Sequence, residues 1–214
     1  MYSAMPAKRA PDLSLFLDIL QTLNRIDAPY MIIGAFAGTI YGITRVTYDI
    51  DIVVDLADAH IEVLARAYPL PRYYADTEMM RNSIDMGIMF NIIDSSRGEK
   101  ADLVPLSGTL SYEYAFQNRL RKTVDIPGAK PFEVWVARPE DVIVGKFKAW
   151  VEGRSRKHET DIYEMMVFHY LGESEEEPLD ERYVDEQDKR LGEEAVELWQ
   201  EIKTSAHKHA ARNE

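Results

Sequence analysis

The stretch YMIIGAFAGTIYGITRVTYDIDIVVD, residues 30–55, decides the fold of this chain. It begins with a short apolar run, continues through glycines spaced four residues apart, and ends in a run that alternates acidic and aliphatic residues. Side chains of an extended chain point alternately to the two faces of a sheet, so Asp49 and Asp51 share one face and Ile50 and Ile52 share the other. The stretch therefore predicts a strand, a glycine turn with a short helix, and a second strand that carries two carboxylates on one face.

Two carboxylates on one strand face need compensation, because aspartate is depleted in strands and costs stability when it is half-buried without a partner. Mg²⁺ or Mn²⁺ compensates paired oxygen ligands, often together with substrate phosphates. We therefore expect Asp49 and Asp51 to be metal ligands. Arg45 and Thr47 share their face if the chain is already extended there, which would place a guanidinium beside phosphate oxygens. The alternative is a solvated edge strand whose acids face water.

A third acid is predicted on a neighbouring strand. Residues 88–93 and 100–106 are typical of two strands joined by the turn-rich segment 95–99, and Asp102 lies in the second of them. An in-line transfer from a triphosphate would use the first two acids to bridge metal ions and share the third with the attacking oxygen. The alternatives for Asp102 are an ion pair with Lys100 or a solvent-facing position.

Hydrophobic periodicity and turn residues predict the other elements. We expect Asp12 to cap the first helix, residues 172–180 to form a linker, and residues 206–214, with His207 and His209, to form a fraying tail rather than a metal site. The predicted strands are 30–33, 49–55, 88–93, 100–106, 122–126 and 132–136, and the predicted helices are 12–26, 35–41, 57–68, 77–86, 111–118, one that starts at Pro139, 159–171 and 183–203.

The helix that starts at Pro139 presents an apolar stripe with a lysine at its margin. Lys146 is predicted on a flank of this stripe, from which a lysine can reach either water or a phosphate. The stripe consists of Val142, Ile143, Phe147, Trp150 and Val151.

Composition excludes several classes of site. The chain has 214 residues and no cysteine, which excludes disulfides, thiolate zinc sites and cysteine nucleophiles. No apolar run approaches the roughly 20 residues that span a bilayer, and residues 1–11 lack the apolar centre of a secretory signal, so we expect a cytoplasmic protein without a membrane partner.

The net charge of −12 is unevenly distributed. Residues 173–201 hold 13 acidic residues against three basic ones, whereas residues 138–157 hold six basic residues against three acidic ones. That basic excess either meets phosphates or forms a solvated helix face. We predict an α+β chain with a core at 1–136, a helical extension packed on it at 137–171, and an acidic linker with a C-terminal helix at 172–214.

Several segments together resemble the nucleotidyltransferase superfamily with the DNA polymerase beta-like catalytic core. More narrowly, the chain resembles the bacterial AbiEii/MenT-like toxins and the nucleotidyltransferases grouped with them, and the resemblance covers about residues 13–165. The matching segments are Gly34-Ala35, Arg45-Val-Thr-Tyr-Asp-Ile-Asp, Ala101-Asp-Leu-Val, Pro139-Glu-Asp-Val-Ile-Val-Gly-Lys and Asp161-Ile.

The resemblance implies a nucleotidyltransferase-like mixed sheet flanked by helices, Mg²⁺ or Mn²⁺ on the acids, and a bound nucleoside triphosphate such as ATP. It implies transfer of a nucleoside monophosphate to an acceptor hydroxyl, either the 3′ end of an RNA such as tRNA or a protein hydroxyl. It also implies a toxin with a cognate antitoxin. By position, the implied catalytic and metal-binding residues are Asp49, Asp51 and Asp102, and the implied nucleotide-binding residues are Gly34, Ala35, Arg45 and Lys146.

Two alternatives of other classes stay open. The family commonly has a second glycine or a nearby serine in its turn, whereas Ala35 and Phe36 follow Gly34 here. This departure and the acidic C-terminal region favour a non-catalytic module that binds a nucleotide or a partner protein on the same fold. The other alternative is an adenylyltransferase that modifies a small molecule such as an antibiotic.

Overall fold

The computed structural model describes residues 13–108, 110–124, 130–172 and 178–212. These residues form one mixed sheet of seven strands, nine α-helices and a 3₁₀-helix. In chain order the elements are α1 (Ser14–Arg25), β1 (Tyr30–Ile33), α2 (Gly34–Ile40), β2 (Asp49–Val54), α3 (Asp58–Ala67), β3 (Tyr73–Tyr74), α4 (Thr77–Met86), β4 (Phe90–Asp94), β5 (Glu99–Pro105), the 3₁₀-helix (Leu106–Gly108), α5 (Leu110–Gln117), β6 (Leu120–Val124), β7 (Phe132–Val136), α6 (Pro139–Gly153), α7 (Arg156–Tyr170), α8 (Glu181–Leu191) and α9 (Glu193–Ala210).

The sheet confirms the predicted α+β class, with helices on the sheet and a helical C-terminal region. Its strand order is β3-β4-β5-β2-β1-β7-β6. β2 pairs antiparallel with β1 and parallel with β5, so it lies inside the sheet and is not the solvated edge strand of the alternative. The parallel register places Asp49 beside Lys100 and Asp51 beside Asp102.

The aliphatic face of β2 explains why this strand lies in the centre. Ile50 and Ile52 are fully buried and belong to one hydrophobic core with the inward side chains of α1. Because the side-chain period of a strand is two, burying this face turns both aspartates toward the opposite face. The packing preference of the aliphatic residues therefore fixes the direction of the acids.

The C-terminal helices differ from the prediction. The single helix predicted at 183–203 is wrong: Gly192, at a φ of +115°, separates α8 from α9. The expectation of a fraying tail is also wrong as far as Ala210, because α9 continues to that residue and buries it together with Ala206. Trp199 of α9 is fully buried and meets the ring of Phe147 of α6 edge to face at 5.9 Å.

The helices α6 to α9 therefore pack on one another, with α7 against α6 and α9, and α8 against α6 and α9. The domain boundaries at 136 and 171 stay a prediction. Among the described residues, no helix combines the length and the apolar character that crossing a membrane requires.

The other predicted elements are present with shifted ends. The sequence did not predict β3, a strand of two residues. The first helix has Leu13 at its N-cap position and no side-chain cap. The predicted cap Asp12, residues 125 and 126 of the predicted strand 122–126, and residues 173–177 of the predicted linker lie outside the described residues.

Candidate active site

A cleft of about 270 Å³ lies between the sheet and the helices α6 and α7. The sheet side contributes the ends of β1 and β2, and the helix side contributes the middle of α6 and the start of α7. Of the seven residues predicted to form the site, six line this cleft and Asp102 does not. The six are Gly34, Ala35, Arg45, Asp49, Asp51 and Lys146.

The two aspartates of β2 have no basic partner among the described residues. Asp49 is exposed and Asp51 is half-buried, and among the described residues neither forms an ion pair. The Thr47 hydroxyl donates a hydrogen bond of 2.7 Å to Oδ1 of Asp49. Burial, followed by repulsion from Asp49 and Asp102, raises the pKa of Asp51 to about 6. The pair therefore carries negative charge that no described basic side chain neutralises by pairing. Carboxylate oxygens are the ligands that a hard divalent cation prefers.

Gly34 allows the turn between β1 and α2 to approach Asp51. Its φ is +68°, a left-handed conformation that residues other than glycine rarely adopt. A Cβ atom built on Gly34 would overlap Oδ2 of Asp51 and lie 3.2 Å from its Cγ atom. This glycine is therefore required both by backbone conformation and by contact with the carboxylate. Ala35 follows in the first turn of α2 and lines the cleft beside it.

Asp102 is close to the pair but differs in its surroundings. Its exposed fraction is 6%, and its Oδ1 and Oδ2 atoms accept hydrogen bonds of 3.0 and 2.7 Å from Nζ of Lys100. The side chain of Asn91, directly opposite on β4, also donates to Oδ1. The alternative in which Asp102 pairs with Lys100 is thus the observed arrangement. The hydrogen bond to Asp102 raises the pKa of Lys100, and the charges of Asp49 and Asp51 raise it further.

The acids do not form a ready-made site with three ligands. Within the described ranges, no group of three or more histidine, cysteine, aspartate or glutamate side chains is placed to hold a metal ion. The donor set that fits Mg²⁺ or Mn²⁺ is therefore the pair Asp49 and Asp51, to which phosphate oxygens or water would add the remaining ligands.

The helix side of the cleft carries two cations held by one acid. Asp161 of α7 is fully buried, and Nε and Nη2 of Arg45 donate to its two oxygens at 2.7 and 2.8 Å. Nζ of Lys146 donates to Oδ2 at 2.6 Å. The exposed fraction of Lys146 is 5%, so its ammonium group does not extend into water, the first of the two alternatives for a lysine at this margin. Arg45 precedes β2 rather than extending it, so it reaches across to α7.

The ionisation of these three groups follows from burial and pairing. Burial alone would raise the pKa of Asp161, but the hydrogen bonds from Arg45 and Lys146 lower it below its usual value. The hydrogen bond with Asp161 raises the pKa of Arg45. Burial lowers the pKa of Lys146, although the pairing with Asp161 opposes this effect. The arrangement presents two donors at the cleft whose positions are fixed by a buried carboxylate.

Sequence reasoning missed the role of Asp161. A usable signal was present, because helical spacing places Asp161 in one stripe with Ile162 and Met165, both of which are buried. A carboxylate in a buried stripe needs a cationic partner, and Arg45 and Lys146 were the cations already assigned to the site. From the sequence, Lys100 is predicted only as an alternative ion-pair partner of Asp102.

Comparisons with known proteins return distant likenesses. The chain matches no family model and no curated protein. Among solved structures, it is similar to a nucleotidyltransferase-like antigenic protein from Paracoccidioides brasiliensis, with 20% identity, a TM-score of 0.47, and 74% of this chain and 75% of that chain covered. It is also similar to the antibiotic-resistance factor ANT(2'')-Ia, with 17% identity, a TM-score of 0.45, and 94% and 93% covered. Both TM-scores lie below 0.5, so neither likeness assigns an activity to this chain.

Proposed function

We propose that this protein is a metal-dependent nucleotidyltransferase that transfers a nucleoside monophosphate from a nucleoside triphosphate to an acceptor hydroxyl. One observation carries the proposal. Asp49 and Asp51, which have no basic partner in the described part of the chain, line the same cleft as Arg45 and Lys146, which Asp161 holds in place. Carboxylates for a divalent cation and fixed donors for phosphate oxygens are the two requirements of phosphoryl transfer.

In the proposed reaction, the acceptor oxygen forms a bond to the α-phosphorus, and the bond from that phosphorus to the bridging oxygen breaks. Pyrophosphate leaves with the electron pair of the broken bond. The proton of the acceptor hydroxyl would pass to Asp102, which is in register with Asp51 and would have to turn toward the cleft, since it does not line it. Mg²⁺ or Mn²⁺ on Asp49 and Asp51 would neutralise phosphate charge and align the triphosphate. Arg45 and Lys146 would hold phosphate oxygens, and Gly34 and Ala35 would leave room for them.

The test is transfer of label from nucleoside triphosphates with Mg²⁺ to total RNA, cell protein and hydroxyl-bearing small molecules, analysed by mass spectrometry. The double variant Asp49→Asn/Asp51→Asn should lose transfer by on the order of 10³-fold or more, since the metal-binding carboxylates are removed. Asp85→Asn is the control, because Asp85 is an exposed acid outside the cleft. Undiminished transfer by the double variant would refute the proposal.

The size of the acceptor is a separate question, and a small molecule is the second candidate. A groove of about 890 Å³ adjoins the cleft and shares Tyr112, Asp141 and Gly145 with it. Glu186 and Arg190 of α8 supply charges of both signs to its lining. A polar small molecule with a hydroxyl group would fit such a groove, whereas an RNA end or a protein would enter from outside it. The mass added to each pool in the same assay distinguishes these acceptors.

The toxin role rests on the sequence resemblance. Expression should arrest growth in a manner that the Asp49→Asn/Asp51→Asn variant abolishes, and a cognate antitoxin would restore growth. The rival is a binding module on the same fold. Calorimetry that detects bound triphosphate together with an assay that detects no transfer to any acceptor would favour that module over the enzyme.

A further inference from the structure

The acids of β2 and the residues beside them on β5 form a two-by-two arrangement on one sheet face. Asp49 is paired in register with Lys100, and Asp51 is paired with Asp102. Neighbouring strands lie ~4.8 Å apart, so all four side chains share one small area. The arrangement contains three acids and a single cation.

Lys100 is bound to one of these acids and not to the others. Its Nζ atom contacts both oxygens of Asp102, at 3.0 and 2.7 Å, and forms no ion pair with the two acids of β2. The side-chain amide of Asn91 donates a further hydrogen bond to Oδ1 of Asp102. These three hydrogen bonds use most of the roughly four acceptor positions of the carboxylate. A divalent ion on Asp102 would therefore lie close to the ammonium group and be repelled by it unless Lys100 moved away.

The other cations of the cleft are engaged elsewhere. Arg45 and Lys146 both donate to Asp161, on the opposite side. Among the described basic side chains, Lys100 is therefore the one paired with an acid of this group. Its side chain is 47% exposed, so it does not fill the core, and its position is set by the buried carboxylate that it contacts.

We propose that Lys100 is a built-in cation that takes the place of a second divalent ion, so that the chain binds one metal ion, on Asp49 and Asp51. This inference rests on the proposed function and specifies its metal requirement. This single metal ion would bind the phosphate oxygens of the triphosphate. The ammonium of Lys100 would lie beside Asp102, on the acceptor side, where positive charge stabilises the oxygen that loses its proton.

The experiment is a titration with Mn²⁺ alone, in which electron paramagnetic resonance measures the free ion and gives the number bound per chain. The wild-type chain should bind one Mn²⁺. Lys100→Met should bind a second, because Asp102 is then free to act as a ligand, and Lys100→Met/Asp102→Asn should return to one. Lys100→Arg keeps the charge and should bind one.

Lys208→Met, at an exposed position on α9, controls for the loss of one positive charge and should bind one Mn²⁺ like the wild type. Thermal unfolding of each variant without metal controls for folding. Two Mn²⁺ bound to the wild type, or one bound to Lys100→Met, would overturn the role of Lys100 while leaving the transferase proposal intact. No Mn²⁺ bound to the wild type, together with no nucleotide transfer, would overturn both. The wild-type stoichiometry keeps the proposal falsifiable even if a variant fails to fold, because two Mn²⁺ bound to the wild type would overturn it.

Discussion

The two sides of the cleft solve the same electrostatic problem in opposite ways. On the sheet side, no basic residue that the structure describes pairs with Asp49 or Asp51, and burial raises the pKa of Asp51 to about 6. On the helix side, Asp161 is buried more deeply, yet Arg45 and Lys146 hold its pKa below the usual value. The carboxylates of the sheet side thus form no ion pair with a described side chain, whereas the carboxylate of Asp161 on the helix side is paired within the protein.

The difference shows which groups are ready before a ligand arrives. Cations that share a buried carboxylate cannot swing away without leaving that carboxylate unpaired, so Arg45 and Lys146 are preorganised. Acids without a partner repel one another, which costs stability that a bound cation returns. Stability is thus concentrated on the helix side and binding capacity on the sheet side. Predictions at Asp161, Gly34 and Asp51 test this contrast, and one at Asp188 tests the cost of a buried acid in the helical region.

The largest expected effect is at Asp161. Asp161→Asn leaves two cations around a neutral buried group, which should lower the free energy of unfolding by about 3–5 kcal/mol. Urea unfolding at pH 7.5 measures the effect. Asp58→Asn is the control, because Asp58 pairs with Arg81 through two hydrogen bonds at the surface and should change stability little. Equal losses at the two positions would contradict the assigned role of Asp161.

The next effect concerns Gly34. Gly34→Ala combines left-handed backbone strain of about 1–3 kcal/mol with overlap between the new methyl group and Asp51. Gly98→Ala is a matched control: its φ is +71°, and nothing lies within 4 Å of the added Cβ atom. Gly34→Ala should therefore lose more stability than Gly98→Ala and should also weaken Mn²⁺ binding. Equal destabilisation with unchanged Mn²⁺ binding would show that the approach to Asp51 is unimportant.

A smaller effect is expected at Asp188, a buried acid that forms no ion pair within the described ranges. Its exposed fraction is 2%, and neither carboxylate oxygen has a hydrogen-bond partner among the described residues. Burial raises its pKa, so the penalty applies at neutral pH and disappears at low pH, where the group is protonated. Asp188→Asn should stabilise the protein by about 1 kcal/mol at pH 7.5.

Asp185→Asn is the control, and it should change the free energy of unfolding in the opposite direction. Asp185 lies one helical turn earlier on α8 and accepts hydrogen bonds from Trp199 at 2.6 Å and Lys203 at 2.9 Å. Its replacement should lower stability. Destabilisation by Asp188→Asn would contradict the conclusion that a buried acid without a partner is costly in this helical region.

The smallest effect is the pH dependence of metal stabilisation. Because the pKa of Asp51 is raised, its protonated form favours the folded state at low pH, and this contribution is lost as pH rises from about 4 to about 6. A divalent cation binds the ionised form. Mn²⁺ should therefore raise the melting temperature more at about pH 7.5 than at about pH 5. Asp51→Asn should lose this pH dependence, and an equal Mn²⁺ effect at both pH values in the wild type would contradict the assignment.

Much of the sheet could be predicted because strands obey a local rule. The alternation from Asp49 to Val54 specified a strand, and the burial of Ile50 and Ile52 required the acids to face the other way. The long helix predicted at 183–203 was wrong because an apolar period continues across Gly192, while the backbone conformation at that glycine changes the helix direction. Hydrophobic periodicity does not reveal where one helix ends and the next begins when apolar residues are buried at similar spacing in both.

The candidate site could be predicted only in part. Gly34, Asp49 and Asp51 lie within 18 residues of one another, and local geometry brings them together. The contact between Arg45 and Asp161 joins residues 116 positions apart, and the packing of α7 decides it. The burial of Lys146 could not be predicted for the same reason, since a lysine at the edge of an apolar stripe is buried only when another helix supplies a carboxylate.

By itself, the amino-acid sequence determined most of the strands and helices, which face of β2 is apolar, and that two carboxylates lie side by side on its other face. These properties depend on the two-residue and 3.6-residue periods of the backbone, which act within a few positions. Only the tertiary structure decided which charges are neutralised: Asp161 by Arg45 and Lys146, Asp102 by Lys100, and Asp49 and Asp51 by no side chain among the described residues. The physical reason is that ion pairing depends on distance in space and on burial, and both are set by how α7 and β5 pack against the rest of the chain.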